Sequence, residues 1–176
     1  GPLQPPTRRS CRHASVVTRS AQVQALCKAQ GVPVLLHALP GRNDTVRLGL
    51  SALLAQHPEL TGCMFLPGDQ PLLRRATVDQ LLTAFAQTQK ETERVIFRLG
   101  VLAGNGPDPL VGSPVLFSNG FFPELLTLPE GKGGSVLLHK YPTLVHTACI
   151  AQPEELADTD TPAALAQLEA LVREKG

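Results

Sequence analysis

Apolar and polar positions alternate along the chain in a way that predicts strands and helices in turn. Short apolar or β-branched runs predict strands at residues 14–18, 32–36, 62–66, 94–98, 114–117 and 144–150. Apolar residues at helical spacing predict helices at residues 21–30, from 43 or 44 onward, and at 77–87, 120–127, 133–140 and from 161 onward. Strands that alternate with helices are typical of a mostly parallel sheet, so we expect a three-layer α/β/α fold.

Length and charge narrow the classes of protein that fit this pattern. The chain has 176 residues and a net charge of +1, which favours one domain and argues against a dedicated nucleic-acid binder. No apolar run approaches the roughly 18 residues of a membrane span, and we expect a cytoplasmic protein without membrane contact. Residues 1–13 are rich in proline and arginine, so we expect an unstructured or altered leader before one domain at 14–176.

The loop at residues 67–71, Pro-Gly-Asp-Gln-Pro, follows the apolar strand that ends at Leu66. Ligands of open parallel sheets bind beyond the carboxyl ends of the strands, which is where Asp69 falls. Gly68 lets the backbone approach a ligand closely, and a carboxylate with little positive charge nearby suits Mg²⁺. The alternative is a tight turn in which Asp69 is only a turn former. The spacing does not choose between the two.

A second acidic segment, at residues 156–162, reads Leu-Ala-Asp-Thr-Asp-Thr-Pro. Asp160 or Thr161 caps the last helix in the simplest interpretation, with Pro162 in its first turn. A capping carboxylate at a junction between strand and helix can also face the ligand crevice. Asp69 and Asp160 could then share one metal ion.

Two further segments could contribute to a binding site. Residues 41–45 begin a helix, where free backbone N–H groups favour an anion and the side chains can bond a base or ribose. Capping of that helix is the alternative. Residues 112–114, Gly-Ser-Pro, end a loop rich in glycine and proline, and they form either the lip of a pocket or a simple connection.

The histidines give no indication of a metal site or of a catalytic imidazole. They are scattered along the chain without the spacing of metal ligands, so we expect surface or packed side chains. The five are His13, His37, His57, His139 and His146.

Several segments together resemble one family. Residues 62–73, Gly-Cys-Met-Phe-Leu-Pro-Gly-Asp-Gln-Pro-Leu-Leu, are similar to the metal-binding strand and loop of the MobA-like nucleotidyltransferases, which include molybdenum cofactor guanylyl- and cytidylyltransferases. Residues 112–117, followed by 121–126, resemble the cytidylyltransferase branch more closely. Gly-Lys-Gly-Gly at 131–134 and the segment at 156–162 complete a resemblance that covers residues 14–174 in family order.

The resemblance implies a fold, a reaction and a set of partners. The fold is a Rossmann-like, mostly parallel sheet of the nucleotide-diphospho-sugar transferase type. The reaction is transfer of CMP from CTP to the phosphate of the molybdenum-bearing pterin, with Mg²⁺ as cofactor and pyrophosphate as product. The partners are CTP, a molybdopterin-type cofactor and, as recipient, a molybdoenzyme of the xanthine dehydrogenase type.

The resemblance also implies roles for particular residues. Asp69 and Asp160 would be catalytic as the two metal ligands. Relatives often carry His or Asn where Ser113 stands. The residues implied near the nucleotide are Gly41, Asn43, Thr45 and Gly68, and those that line the pterin side are Gly112, Ser113 and Pro114.

One part of the family pattern has no counterpart in this sequence. The family begins with a central strand and the signature Leu-Ala-Ala-Gly-x-x-x-Arg-x-Gly, followed by a lysine, and residues 1–13 match neither. Either the sequence as given omits that strand and loop, or residues 1–13 are an altered leader. A chain that truly lacks the phosphate loop should be inactive. The alternatives are a truncated or degenerate homologue that only binds a molybdoenzyme, or a related enzyme that uses GTP or a sugar phosphate.

Overall fold

A computed structural model describes residues 13–39, 42–66, 70, 72–101, 110–129 and 133–157. Within these ranges the strands are β1 (Val16–Thr18), β2 (Val34–Leu36), β3 (Gly62–Phe65), β4 (Ile96–Val101), β5 (Val111–Ser118) and β6 (Val145–Ala151). The helices are α1 (Ala21–Ala29), α2 (Arg42–Gln56), α3 (Arg75–Gln89), α4 (Phe122–Leu126) and α5 (Ser135–Lys140). Short 3-10 turns cover Asn119–Phe121, Pro142–Leu144 and Pro153–Leu156.

The described strands form two sheets. β1 and β2 pair in parallel, with Val17 opposite Leu35. The other sheet has the strand order β3-β5-β4-β6, and β4 and β6 run parallel with Phe97 opposite His146. The predicted α/β class with a mostly parallel sheet is therefore confirmed.

The chain divides into two compact units. The first unit comprises Gly1–Cys63 and Phe117–Leu144, and the second comprises Met64–Leu116 and Val145–Gly176. Residues 1–12 lie outside the described ranges, so the leader at 1–13 and the single domain at 14–176 stay predictions. Among the described residues, no helix has both the length and the apolar character that crossing a bilayer requires.

In the first unit, α2 packs against β1 and against α4. Leu50 of α2 is fully buried, as are Phe121 and Leu125 at α4. A Cβ added at Gly49 would lie 2.9 Å from Cγ2 of Val17, so the glycine allows the helix to approach the strand closely. Side chains of this size stabilise the fold by about 1.5–3 kcal/mol each on burial.

In the second unit, α3 packs against β4 and β6. The predicted apolar stripe of α3 supplies Leu81 and Phe85, which form a buried cluster with Phe97, Val95 and Leu116. The rings of Phe85 and Phe97 meet edge to face with their centroids 6.1 Å apart. The apolar spacing that predicts a helix at residues 77–87 thus forms the face that α3 packs within the second unit.

Two predictions about local structure are wrong. Helix α2 begins at Arg42, so Asn43 and Asp44 lie in its first turn and do not precede it as caps. Residues 112–114 belong to β5, which begins at Val111, and are not the end of a loop. Glycine and proline favour turns in isolation, but pairing within the sheet overrides that local preference here.

Candidate functional site

The structure describes five of the nine residues that the sequence indicates for the site. Asn43 and Thr45 lie in α2 of the first unit, and Gly112, Ser113 and Pro114 lie in β5 of the second unit. Gly41, Gly68, Asp69 and Asp160 lie outside the described residues.

Gln70 connects three segments of the second unit. Its side-chain Nε2 donates one hydrogen bond to the backbone carbonyl of Ser113, at 3.0 Å, and another to that of Glu155, at 3.1 Å. An amide nitrogen has two hydrogens, so the two bonds use its full donor capacity. Gln70, which directly follows Asp69, is thus bonded both to the start of β5 and to the turn Pro153–Leu156.

Glu155 has a buried carboxylate surrounded by hydrogen-bond donors. The residue is 1% exposed, and its oxygens accept hydrogen bonds from Thr77 Oγ1 at 2.5 Å, Gln152 N at 2.7 Å and Arg74 N at 3.2 Å. The guanidinium of Arg74 adds a longer bond at 3.4 Å. Burial alone would raise the pKa of this carboxyl, but the donors outweigh that effect, so its pKa lies below the ordinary value.

The local sequence explains how Glu155 reaches this position. Pro153 begins the 3-10 turn, where a missing N–H costs nothing, and Glu155 follows as its third residue. From there its side chain bonds back to the backbone N–H of Gln152, as in a capping box. This arrangement of a polar residue, a proline and then a glutamate is a signal that the sequence analysis missed.

The first residues of β5 lie against the same turn. A Cβ added at Gly112 would be 3.2 Å from Cδ2 of Leu156, so the strand backbone comes close to that side chain. Ser113 is half-buried, whereas the side chain of Pro114 is fully buried and offers no surface to a substrate. The peptide bond between Ser113 and Pro114 is cis. Gln70, Gly112 and Glu155 therefore belong to segments that converge within the second unit.

In the first unit, the hydroxyl of Thr45 is paired with an imidazole. The backbone N–H of Leu39 donates to Nδ1 of His37 at 3.2 Å, and Nε2 of the same ring lies 3.1 Å from Thr45 Oγ1. Because Nδ1 accepts, the neutral ring carries its proton on Nε2 and donates to Thr45. The hydrogen of the Thr45 hydroxyl then remains available to bond a ligand. No pattern in the sequence singles out His37.

Asn43 connects the start of α2 to a distant loop of the first unit. Its side chain is fully buried, its Nδ2 donates to the carbonyl of Pro129, and its Oδ1 accepts from the N–H of Gly133 at 2.7 Å. Both polar ends of the amide are thus occupied by the protein. The structure gives Asn43 a positioning role that the sequence did not predict.

Comparison with known proteins identifies the family. The model of the MobA-like NTP transferase domain matches residues 7–167. The structure of Rv0371c from Mycobacterium tuberculosis H37Rv is 25% identical, with a TM-score of 0.67, over 88% of this chain and 74% of that one. The manganese complex of Rv0371c is 24% identical, with a TM-score of 0.64 and the same coverage.

A third similar structure is that of CMP:2-keto-3-deoxy-manno-octonic acid synthetase in complex with CTP. It is 17% identical, with a TM-score of 0.63, over 93% of this chain and 82% of that chain, and it shows a shared fold. Comparison with curated protein sequences finds no match. The family match covers most of the chain, so this protein belongs to the MobA-like NTP transferase domain family and is an enzyme of the nucleotidyltransferase type.

Proposed function

We propose that this enzyme transfers CMP from CTP to the phosphate of a molybdenum-bearing pterin. A phosphate oxygen of the pterin forms a bond to the α-phosphorus of CTP. The bond from that phosphorus to the oxygen bridging the β-phosphate breaks, and its electron pair leaves with pyrophosphate. The family match supports nucleotidyl transfer, and the resemblance of residues 112–117 and 121–126 to the cytidylyltransferase branch supports CTP.

Asp69 and Asp160 are the proposed metal ligands. Two carboxylates and phosphate oxygens suit Mg²⁺, which would neutralise charge on the α-phosphate during transfer. Glu155 does not compete for the ion, because its oxygens already accept hydrogen bonds from Thr77, Gln152 and Arg74. Rv0371c binds manganese in one of its structures, and manganese accepts the same hard oxygen ligands.

One observation carries the proposal of a shared metal site, namely the pair of hydrogen bonds made by Gln70. This residue directly follows Asp69, and the carbonyl it bonds at Glu155 precedes Asp160 by five residues. The second bond, to the carbonyl of Ser113, attaches the start of β5 to Gln70 as well. Two segments held together by one side chain are suited to carrying two ligands of a single ion.

The remaining residues divide between nucleotide and pterin. Thr45 contacts the nucleotide through its hydroxyl hydrogen, which its bond with His37 leaves available. Asn43 positions the start of α2, because its amide is buried and occupied. Backbone N–H groups at Gly41 and Gly68 contribute to nucleotide binding. Gly112 and Ser113 line the pterin side.

The test combines nucleotide binding with turnover. Binding of each of the four Mg–NTPs is measured by calorimetry, and pyrophosphate release is measured with molybdenum cofactor present. Binding is measured separately from turnover because residues 1–13 do not match the phosphate loop of the family. We expect binding of CTP alone, lost in Asp69→Ala and Asp160→Ala and kept in Glu91→Ala, which removes an exposed carboxylate.

Each outcome has a distinct consequence. CTP-specific binding with turnover supports the full proposal. CTP-specific binding without turnover supports the specificity and the metal site, and means that residues 1–176 do not complete the transfer by themselves. Preference for GTP, or CTP binding that survives Asp69→Ala, contradicts the proposal. Binding of a molybdoenzyme without any nucleotide binding favours the degenerate homologue.

A further inference from the structure

Three side chains of the first unit that can bind metals lie together, and none of them is among the residues assigned above. His13, His57 and Glu59 each offer one ligand atom, and these three atoms all lie within 4.8 Å of one another. Along the sequence, His13 is far from the other two, so spacing alone did not reveal the cluster.

The end of α2 fixes two of the three side chains. The backbone N–H of His57 donates to the carbonyl of Leu53 at 2.7 Å and continues the helical pattern by one residue. The carbonyl of His57 accepts from the N–H of Leu60 at 3.2 Å, which closes a turn. Glu59 lies in that turn, and its carboxylate oxygen is 3.7 Å from Nδ1 of His57. A hydrogen-bonded turn therefore holds an imidazole and a carboxylate side by side.

The third side chain approaches from the segment before β1. His13 stacks on His57 with their ring centroids 3.3 Å apart and their planes 12° from parallel. β1 begins three residues later and packs against α2. This packing within the first unit therefore positions the segment that carries His13. Both imidazoles are half-buried, whereas Glu59 is exposed.

We propose that His13, His57 and Glu59 bind one divalent transition-metal ion, for which Zn²⁺ is the best match. Imidazole nitrogen and carboxylate oxygen are usual zinc ligands, and water would complete a tetrahedral set. Bonds of about 2.0–2.1 Å place neighbouring tetrahedral ligands roughly 3.4 Å apart. The distance of 3.7 Å between His57 and Glu59 is already close to that value.

Binding requires the two rings to splay. The lone pair of each imidazole nitrogen lies in the plane of its ring, so parallel stacked rings do not both point at one ion. Rotation about the side-chain bonds of His13 turns its nitrogen towards the ligand atoms of His57 and Glu59, which lie within 4.8 Å of it. The partial exposure of the cluster leaves room for that rotation. The bound ion would then tie the segment before β1 to the end of α2.

This ligand set separates the new site from the magnesium site proposed above. Mg²⁺ prefers oxygen ligands and near-octahedral geometry, so it competes poorly for a set with two imidazoles. A metal that binds the folded state also raises its apparent stability by mass action. Zinc binding and zinc stabilisation at this site are therefore measurable in excess Mg²⁺, whether or not the proposed nucleotidyl transfer occurs.

The experiment titrates the full chain with Zn²⁺ by calorimetry in excess Mg²⁺ and follows its thermal unfolding. We expect one ion per chain and a higher Tm. Loss of a group that hydrogen-bonds to a metal ligand weakens metal affinity about 10–100-fold. His13→Ala and His57→Ala each remove a ligand itself, so we expect them to weaken zinc affinity by at least roughly 100-fold. Glu59→Gln tests the site without disturbing buried structure, because its side chain is 69% exposed. His139→Ala removes another exposed histidine and is expected to bind as the wild type does.

Cobalt identifies the ligand atoms directly. Co²⁺ bound by nitrogen and oxygen gives visible d–d bands without the thiolate-to-metal charge-transfer band that cysteine ligands produce. This control matters because the chain contains cysteines, among them Cys27, Cys63 and Cys149. A charge-transfer band, zinc affinity unchanged in His13→Ala and Glu59→Gln, or no stoichiometric binding by the wild type would each overturn the proposal.

Discussion

The hydroxyl of Thr77 donates a hydrogen bond of 2.5 Å to the carboxylate of Glu155, a residue that is only 1% exposed. The bond joins the first turn of α3 to the turn Pro153–Leu156. A buried charge is stable only when donors replace the water it has lost. The hydrogen bonds from Thr77 and the other donors therefore keep the carboxylate of Glu155 charged and buried. Glu155 is also one of the residues to which Gln70 bonds.

Thr77→Val is expected to destabilise the protein. Valine has nearly the shape of threonine but cannot donate, so the buried carboxylate of Glu155 loses one of its partners. Hydrogen bonds to charged groups contribute about 1.5–3 kcal/mol, and we expect the free energy of unfolding to fall by that amount. Urea unfolding followed by circular dichroism measures the change.

Thr83→Val is the matched control for this substitution. Thr83 also lies in α3, but its hydroxyl donates to the backbone carbonyl of Asp79 within the same helix. That carbonyl is also available to the helix backbone, so we expect a change below about 0.5 kcal/mol. An equal decrease in the free energy of unfolding of the two variants would contradict this prediction. The hydrogen bond from Thr77 to Glu155 would then stabilise the fold no more than the bond within the helix does.

Glu155 is also expected to make stability depend on pH. Its pKa in the folded protein lies below the ordinary value, so the unfolded chain takes up a proton at Glu155 first as the pH falls. The stabilisation is fully present above the unfolded pKa, and it is lost as the pH falls through the lowered folded pKa. The stability gap between wild type and Glu155→Gln should therefore narrow from about pH 7 to about pH 3. Urea midpoints across that range test this, and a constant gap would contradict it.

Asn43 is expected to stabilise the first unit. Asn43→Ala removes the bonds to Pro129 and Gly133 and leaves a small cavity, since the residue is fully buried. Pro129 is exposed and can bond water instead, so we expect a loss of about 1–3 kcal/mol. Asn43→Asp should cost more, because it keeps the acceptor for Gly133 but buries a charge. Asn119→Ala, at an exposed site, is the control, and chemical denaturation ranks the three variants.

Much of the fold was predictable because it depends on local patterns. The stripe of Leu81 and Phe85 lies at helical spacing, and the structure buries both residues against the sheet. Ser20 and Gly31 bound α1 as a capping serine and a glycine with positive φ, which are signals within a few residues of the helix. Such features need no knowledge of the rest of the chain.

The contacts around the candidate site depend on residues that are far apart in sequence. The bond from Thr77 to Glu155 spans 78 positions, and that from Gly133 to Asn43 spans 90. Sequence periodicity carries no information over such separations. The strand predicted at residues 114–117 is part of β5, but its start around Gly112 was missed for a related reason. Turn-forming residues there oppose the pairing that the sheet imposes. Asp69 could be selected because its position after an apolar strand is itself a local signal.

Gln70 provides the sharpest test of the proposed metal site. Gln70→Leu keeps much of the volume but removes the donors to the carbonyls of Ser113 and Glu155, and we expect a stability loss of about 1–2 kcal/mol. If those bonds position Asp69, Mn²⁺ affinity measured by electron paramagnetic resonance should also fall about 10–100-fold. Gln80→Leu, at an exposed position of α3, should change neither quantity. A loss of stability with unchanged Mn²⁺ affinity would make Gln70 a structural residue only, because positioning a metal ligand must alter the binding of the metal.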